Sequence, residues 1–524
     1  MKLINPIPPW DSTPPEVWRY WQTRRLRHYL AHRVLPFSAH YRRVFEAHGI
    51  TADDIDTLDD WARVPFSAKS DLSVPRDQQR DFILLPNEAI LKREPAVMWD
   101  ALLHGRRAAK SHLEAEFRPV LLTSTTGRSA EPVPFLYTAH DLKNLEETGR
   151  RIMEVGRSQR DFRHVNLFPY APHLAFWQTH YASLGFDTFM VSSGGGKTLG
   201  TEGNIALIDR IQPDIIIGMP TFIYHVLHEA ASHGRHWPNL KRVVLGGEKV
   251  AEGLRAKLRD LCAEVGSHEV SVLSTYGFTE AKMAIPECPT VSGVGGSGFH
   301  LSPDLGIVEI VDPKSGRVMP DGQPGEIVFT PLDARGTVVL RYRTGDIAEG
   351  GITWEQCPHC GRKCPRILGP ISRVSEVREM KLDKVKGTLV DFNLLEHLLD
   401  DQKGVAAWQL ELRKRNDDPL EIDEMILHLT PDEGIAANDI ARVVTRRFSE
   451  ATELSPNEIR FHTMPEMRQR LGIGRLLKEE KLIDLRPKVV RPAGSHSQIQ
   501  IDQRVPLDHT PELSLQAGGL HHII

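Results

Sequence analysis

The 524-residue chain has no run of about eighteen consecutive apolar residues, the length a bilayer-spanning helix needs, so no membrane span is expected. It also lacks a charge excess. Its 65 Lys+Arg and 69 Asp+Glu leave a formal net charge of -4, which argues against a nucleic-acid-coating protein. The opening MKLINPIPPWDSTPP has no apolar core of the kind a signal peptide carries, so a cytoplasmic protein is expected. Cysteine is scarce: 5 residues are too few for a disulfide scaffold of this size. Three of them nevertheless crowd together at Cys357, Cys360 and Cys364, a clustering that in a reducing compartment points to metal or chemistry.

The patterning of the rest is that of an α/β protein. Residues 15–47 read as helix broken near Pro36, with Trp18, Trp21, Leu26 and Leu30 on one face and arginines on the other. From about 115 to 350, short apolar runs (VLLTS, HVNLFPY, TFMVSS, DIIIGMP, KRVVLGGE, VSVLSTYG) alternate with helical stretches such as 204–211 and 222–232. That alternation predicts a largely parallel sheet, with ligand-facing polar loops at the strand ends. Between about 300 and 350 the pattern turns β-rich, and after about 370 a smaller α+β unit follows. The stretch 488–524 has no periodicity and reads as an irregular tail.

Two glycine patterns are decoys. Gly293, Gly295 and Gly298 satisfy GxGxxG, but no apolar strand precedes them and no helical pattern follows. Gly196-Lys197-Thr198 imitates the end of a phosphate loop. The pattern's first glycine would fall on Val191, however, and no good helix is expected after it.

Three other segments carry chemistry. Thr123-Ser124-Thr125-Thr126-Gly127 follows an apolar run, and its hydroxyls and backbone N–H groups suit a polyphosphate. Tyr276-Gly277-Phe278-Thr279-Glu280 ends a strand with an aromatic for stacking, a hydroxyl and a carboxylate able to hold magnesium. Arg341-Tyr342-Arg343-Thr344-Gly345-Asp346 closes another strand, with an aspartate able to accept both hydroxyls of a ribose. Separately, Cys357-Pro358-His359-Cys360 is half of a tetrahedral zinc site. The other half must come from elsewhere in the chain, with Cys364 and His359 among the competitors. Cys262, in the helical run LRAKLRDLCAEV, reads as packing.

The three segments, in this order, resemble the adenylate-forming superfamily of acyl-CoA synthetases and adenylation domains. Gly246-Gly247-Glu248, Gly325-Glu326 and Lys384-Val385-Lys386-Gly387 resemble further segments of that family. The cysteine segment through Pro365-Arg366-Ile367, and the ending Lys481-Leu482-Ile483-Asp484-Leu485-Arg486, resemble its phenylacetate–CoA ligase-like branch. The resemblance implies a large N-terminal AMP-binding domain over residues 1–375, with α/β sheets and a β-rich subdomain that includes the zinc segments 286–300 and 357–364. A small mobile α+β domain over 376–487 follows, then the tail. The boundary arginine is either Arg378 or Arg373.

The same resemblance implies ATP-dependent activation of a small carboxylic acid, aromatic or otherwise, to an acyl-adenylate, then transfer to a thiol. Coenzyme A is the expected acceptor. Transfer to an acyl-carrier-protein thiol, a homodimer, and a noncatalytic zinc-stabilised nucleotide-binding protein of the same fold are left open. By resemblance, Thr123 to Gly127 cradle phosphate, Gly247 and Glu248 line the nucleotide site and Tyr276 with Gly277 packs on adenine. Thr279 reaches phosphate, Glu280 binds Mg2+ and Asp346 holds the ribose. Gly387 lines the thiol tunnel. Lys478 bridges carboxylate and α-phosphate, with Lys481 and Arg475 as alternatives. Zinc ligands drawn from Cys288, His300, Cys357 and Cys360 match where the branch's zinc-bearing members place theirs. The acyl site is expected around Phe168–Tyr181, including His173. Two departures stand out: Ser124 occupies a position where the family has glycine, and Leu477 replaces the glycine before the lysine.

Overall fold

The structure is a computed structural model, describing residues 7–72, 76–125, 132–290, 295–373, 382–385, 388–415, 423–452, 455–473 and 479–486. The N-terminal helical segment begins with Pro15–Tyr29 and passes through a π turn at Leu30–Val34. It breaks at Ser38, two residues beyond Pro36, before the helix Ala39–His48. Trp18, Trp21, Leu26 and Leu30 are all buried, as the apolar face requires. The arginines opposite are not an open basic stripe. Arg25 pairs with Asp333, Arg27 with Asp53 and Asp56, and Arg33 with Glu94 and Glu116. That face is therefore charge-neutralised and attached to the body. Among the described residues no helix is long and apolar enough to cross a membrane.

Strands β1 (Pro119–Ser124) and β2 (Pro134–Thr138) form an antiparallel pair beside the main sheet. The main sheet then uses β3 (His164–Asn166), β4 (Met190–Ser192), β5 (Ile215–Gly218), β6 (Arg242–Gly246), β7 (Ser271–Phe278) and β8 (Met283–Pro286). Their order is β4-β3-β5-β6-β7-β8, parallel through β7, with β8 antiparallel at the edge. The chain winds outward to β4 and then reverses to β5. In such sheets the crevice outside the strand carboxyl ends at that switch point is where ligands bind. Ile215, Ile216 and Ile217 are buried, as a sheet covered on both faces demands.

One expectation is corrected here: a helix, Gly196–Ile211, does follow Gly195. Its five glycines in GKTLGTEG and the preceding turn weaken the helical signal. Burial of Ile205 and Ile208 outweighs that, and the kink falls at Gly200, where φ is 66°.

The β-rich part contains β9 (Phe299–His300), β10 (Gly306–Val311), β11 (Gly325–Pro331), β12 (Tyr342–Ala348), β13 (Ile352–Thr353), β14 (Arg366–Ile367) and β15 (Ile371–Arg373). They make a β10-β11-β12-β15 sheet and a small β13-β14-β9 sheet. The smaller unit has the hairpin β16 (Leu382–Val385) and β17 (Thr388–Asp391). Its own sheet is built from β18 (Val405–Lys414), β19 (Asp423–Pro431), β20 (Glu458–Phe461) and β21 (Leu482–Asp484), ordered β20-β19-β18-β21. Leu395, Leu399, Trp408, Leu427, Val444 and Phe448 form its separate core. The expected α/β body, β-rich part and small α+β unit are all present. The expected boundary near 376 and the tail 488–524 lie outside the described residues.

Candidate functional site

A cavity of about 650 Å³ opens at the carboxyl ends of the parallel strands. Four of the parallel strands deliver residues as they end: Phe168 after β3, Met219 after β5, Gly246 to Glu248 from the end of β6, and Tyr276 to Glu280 from the end of β7. Glu248 Oε2 accepts from the Thr221 hydroxyl at 2.9 Å, which ties the loop after β6 to the start of the helix Pro220–Ser232.

The second sheet contributes Tyr342, Thr344 and Asp346 from β12, and β15 contributes Arg373. Between Arg343 and Ile347 the β11–β12 register shifts. Glu326 Oε1 accepts from the Gly345 N–H at 3.2 Å, and the Thr344 hydroxyl donates to the Ile327 carbonyl at 2.8 Å. Gly345 sits at φ 74°, a left-handed conformation that glycine adopts without strain. This bulge re-aims the strand so that Asp346 meets the cavity.

The carboxylates are held firmly. Asp346 Oδ2 accepts from the Tyr276 hydroxyl at 2.8 Å, and Arg373 Nε lies 2.9 Å from Asp346 Oδ1. Glu280 Oε1 accepts from the Tyr342 hydroxyl at 2.7 Å. Burial pushes the Glu280 carboxyl above its ordinary range, and the Tyr342 hydrogen bond opposes that by favouring the ionised form. Burial also pushes the Tyr276 phenol well above its ordinary value, so it is a donor throughout the physiological range.

The phosphate-loop residues divide. Thr125 lines the cavity, with its loop pinned by reciprocal bonds to Val133: Thr125 N–H to the carbonyl and Val133 N–H to Thr125 Oγ1, both 3.0 Å. Thr123 departs from the expected cradle role. It is fully buried and its hydroxyl donates to the Tyr137 hydroxyl at 3.3 Å. Thr123 is still within β1, paired in register with Phe135 of β2, whereas Thr125 lies beyond the strand end. The Ser124 hydroxyl faces the Pro172 carbonyl at 3.4 Å. Thr126, Gly127, Gly387, Arg378, Arg475 and Lys478 lie outside the described residues. Lys481 pairs with Asp400 at 2.6 Å within the small unit and is not among the residues that line this cavity.

The apolar part of the cavity is walled by Met153, Phe168, Phe176, Ile217, Val244 and Leu273. His173 lines it too, whereas Tyr170, also within the expected stretch, is 69% exposed. Gln178, on this wall, is already satisfied: its amide donates to the Leu145 carbonyl and its oxygen accepts from the Ala284 N–H, each at 3.0 Å. Sequence reasoning missed Lys69, Arg255 and Glu287 as lining residues. Arg255 and Glu287 are a buried ion pair at 2.9 Å. Lys69 reaches the cavity because Ser67 bridges to β12 across the fold, a juxtaposition with no local signature.

Beside the cavity, Cys288, His300, Cys357 and Cys360 bring one donor atom each to within 4.8 Å of one another. Cys288 Sγ and Cys357 Sγ are 3.8 Å apart, and Cys360 Sγ is 3.2 Å from His300 Nε2. A tetrahedron with metal–sulfur bonds of about 2.3 Å has a sulfur–sulfur edge of about 3.8 Å, so the set fits a four-coordinate ion. His300 Nδ1 lies 3.3 Å from the Pro286 carbonyl, which leaves Nε2 free to act as the ligand nitrogen. Cys364 is buried outside this cluster. Cys262 is buried in its helix, as expected of a packing residue.

A doubly wound sheet and a bulged antiparallel sheet, meeting over a cavity with hydroxyl, carboxylate and aromatic groups at the strand ends, define a nucleotide-binding α/β architecture. Residues 153–331 match the AMP-binding enzyme family. The chain is 29% identical to the phenylacetate-coenzyme A ligase of Aromatoleum evansii over 314 residues, 59% of this chain and 61% of that one. It is 26% identical to the phenylacetate-coenzyme A ligase of Thermus thermophilus over 368 residues, 70% of this chain and 72% of that one. The matched segment thus spans roughly three-fifths to seven-tenths of these relatives. The fold is similar to that of 2-hydroxyisobutyryl-CoA ligase in complex with 2-HIB-AMP. The TM-score is 0.71 at 18% identity, over 92% of this chain and 94% of that one. Residues 153–331 are thus similar to AMP-binding enzymes, and a longer stretch of the chain is similar to phenylacetate-coenzyme A ligases.

Proposed function

We propose that the protein activates a small carboxylic acid with ATP and transfers the acyl group to coenzyme A. The substrate carboxylate oxygen attacks the α-phosphorus, the bond to the bridging oxygen breaks, and pyrophosphate leaves. The thiol sulfur then attacks the acyl carbonyl carbon and AMP departs. The observation that carries this reading is the convergence of Thr279, Glu280 and Asp346, from two separate strand ends, on one cavity.

The first barrier is the approach of two anions, so the site must supply donors and positive charge where charge builds up. Thr125 and Thr279 donate to phosphate oxygens, and Thr126 and Gly127 extend that loop. Asp346 accepts from the ribose hydroxyls, in exchange for part of its present contact with Arg373. Gly247 and Glu248 form the floor, and Tyr276 with Gly277 flanks the base. Glu280 would hold Mg2+, whose charge would offset that of the phosphates. Lys478 bridges carboxylate and α-phosphate, and Gly387 faces the thiol. The apolar wall around Phe168, Phe176 and Leu273 takes the acyl tail, and an aromatic acid suits it because the wall's Gln178 is already paired. The relatives named phenylacetate-coenzyme A ligase support the same choice.

The Cys288–His300–Cys357–Cys360 set would hold Zn2+. Four protein ligands with no open position would make the ion structural, joining the segment after β8 to the Cys357–Cys360 turn. ATP–pyrophosphate exchange across a panel of carboxylic acids tests the activity. Exchange dependent on one class of acid supports it, and none with any acid, despite nucleotide binding, points to the noncatalytic reading.

A further inference from the structure

Both strand-end motifs have a tyrosine four residues before a carboxylate: Tyr276 before Glu280, and Tyr342 before Asp346. In the structure each tyrosine bonds the carboxylate of the other motif. Tyr276 donates to Asp346 at 2.8 Å and Tyr342 donates to Glu280 at 2.7 Å. The two segments therefore lie head to tail, each tyrosine holding the other segment's acid. Neither ring is free to swing. Tyr342 is 2% exposed, and Tyr276 packs against Phe278 and Phe299 with ring centroids at 5.6 and 5.9 Å.

We infer that Tyr342 is the positioning residue for Glu280 and Tyr276 the positioning residue for Asp346, so that each motif's tyrosine serves the ligand bound by the other motif. This rests on the adenylation reading, in which Glu280 takes the metal and Asp346 the ribose. A carboxylate held at one oxygen by its tyrosine has its plane fixed, with the Asp346 Oδ1 edge resting on Arg373 until the ribose exchanges with it, and a group ordered before the ligand arrives need not be ordered at its expense. Removing the Tyr342 hydroxyl should therefore weaken metal binding, although Tyr342 belongs to the ribose motif. Removing the Tyr276 hydroxyl should weaken nucleotide binding, although Tyr276 belongs to the metal motif.

The test measures two affinities in full-length protein. Calorimetry gives the affinity for α,β-methylene-ATP without metal, and electron paramagnetic resonance titration gives the affinity for Mn2+ at saturating nucleotide. Tyr342→Phe should lower Mn2+ affinity by about tenfold and leave metal-free nucleotide affinity within about twofold. Tyr276→Phe should do the reverse. In a Glu280→Gln background Tyr342→Phe should add nothing, and in an Asp346→Asn background Tyr276→Phe should add nothing. Thermal unfolding of each variant identifies general loosening, which would lower both affinities together. That pattern, no change in either affinity, or a tyrosine acting on the carboxylate of its own motif would overturn the inference. A wild-type protein that binds nucleotide and Mn2+ but exchanges no pyrophosphate overturns the adenylation reading alone, and the crossed pattern still decides the tyrosines. A wild type that binds no nucleotide overturns both.

Discussion

Arg373 Nε sits 2.9 Å from Asp346 Oδ1, directly across the β12–β15 ladder, where the two residues are register partners. The last described residue of the large body is thus tied to the acid proposed to hold the ribose. Asp346→Ala removes both functions and should weaken ATP binding by about 10- to 100-fold, the range for loss of hydrogen bonds to a charged group. Calorimetry with the folded variant checks this, and unchanged ATP affinity would remove Asp346 from the ribose site.

Lys478 is proposed to act on the first half-reaction only. Lys478→Ala should depress adenylation by about 10²- to 10³-fold, comparable with losing one preorganised charge donor. Thioester formation from pre-made adenylate should change by less than about threefold. Single-turnover assays of each half-reaction separate the two, and equal losses in both would move the role to another cation.

The metal proposal predicts about one equivalent of zinc per chain, retained at saturating ATP and acid. Cys357→Ser should lose that equivalent and lower the unfolding midpoint, whereas Cys364→Ser should keep the metal. Elemental analysis of the three proteins decides it. Full zinc content in Cys357→Ser would contradict the assignment.

His428 gives the small unit a defined acid sensitivity. It is fully buried between Arg470, Glu411 and His462, with its Nδ1 2.8 Å from His462 Nε2. Burial, then Arg470, lowers it from 6.5 to about 4. Between those values the unfolded chain takes up a proton that the folded chain refuses. The stability contributed by His428 should therefore be constant above about pH 6.5 and fall as pH drops towards 4. Urea unfolding followed at Trp408 across this range checks the sign. His428→Gln should flatten the slope, and a wild-type midpoint constant from about pH 7 to 5 would contradict it.

Legibility in the sequence followed the reach of each interaction. The parallel sheet was readable because buried runs such as Ile215–Ile217 need no distant partner to declare themselves. That Glu280 and Asp346 would line the cavity was readable because each sits in a local strand-end motif. The CxxC turn was a local signal, but its partners Cys288 and His300 came from resemblance, since they lie about sixty residues away. The inward turn of Thr123 depends on register with β2, which periodicity over so short a strand does not set. The helix from Gly196 is held by Ile205 and Ile208 against the glycines' own preference. The exchanged tyrosines and the approach of Lys69 are purely tertiary: nothing within either segment encodes which acid its tyrosine will meet.

The central claim is that this cavity makes acyl-adenylates. ATP–pyrophosphate exchange by the purified full-length protein, with a panel of aromatic and aliphatic carboxylic acids, addresses it most directly. The account predicts Mg2+-dependent exchange with at least one small acid, strongest for acids with an aromatic tail, and its loss in Asp346→Ala. No exchange with any acid, in a protein that binds ATP and carries its metal, would contradict it.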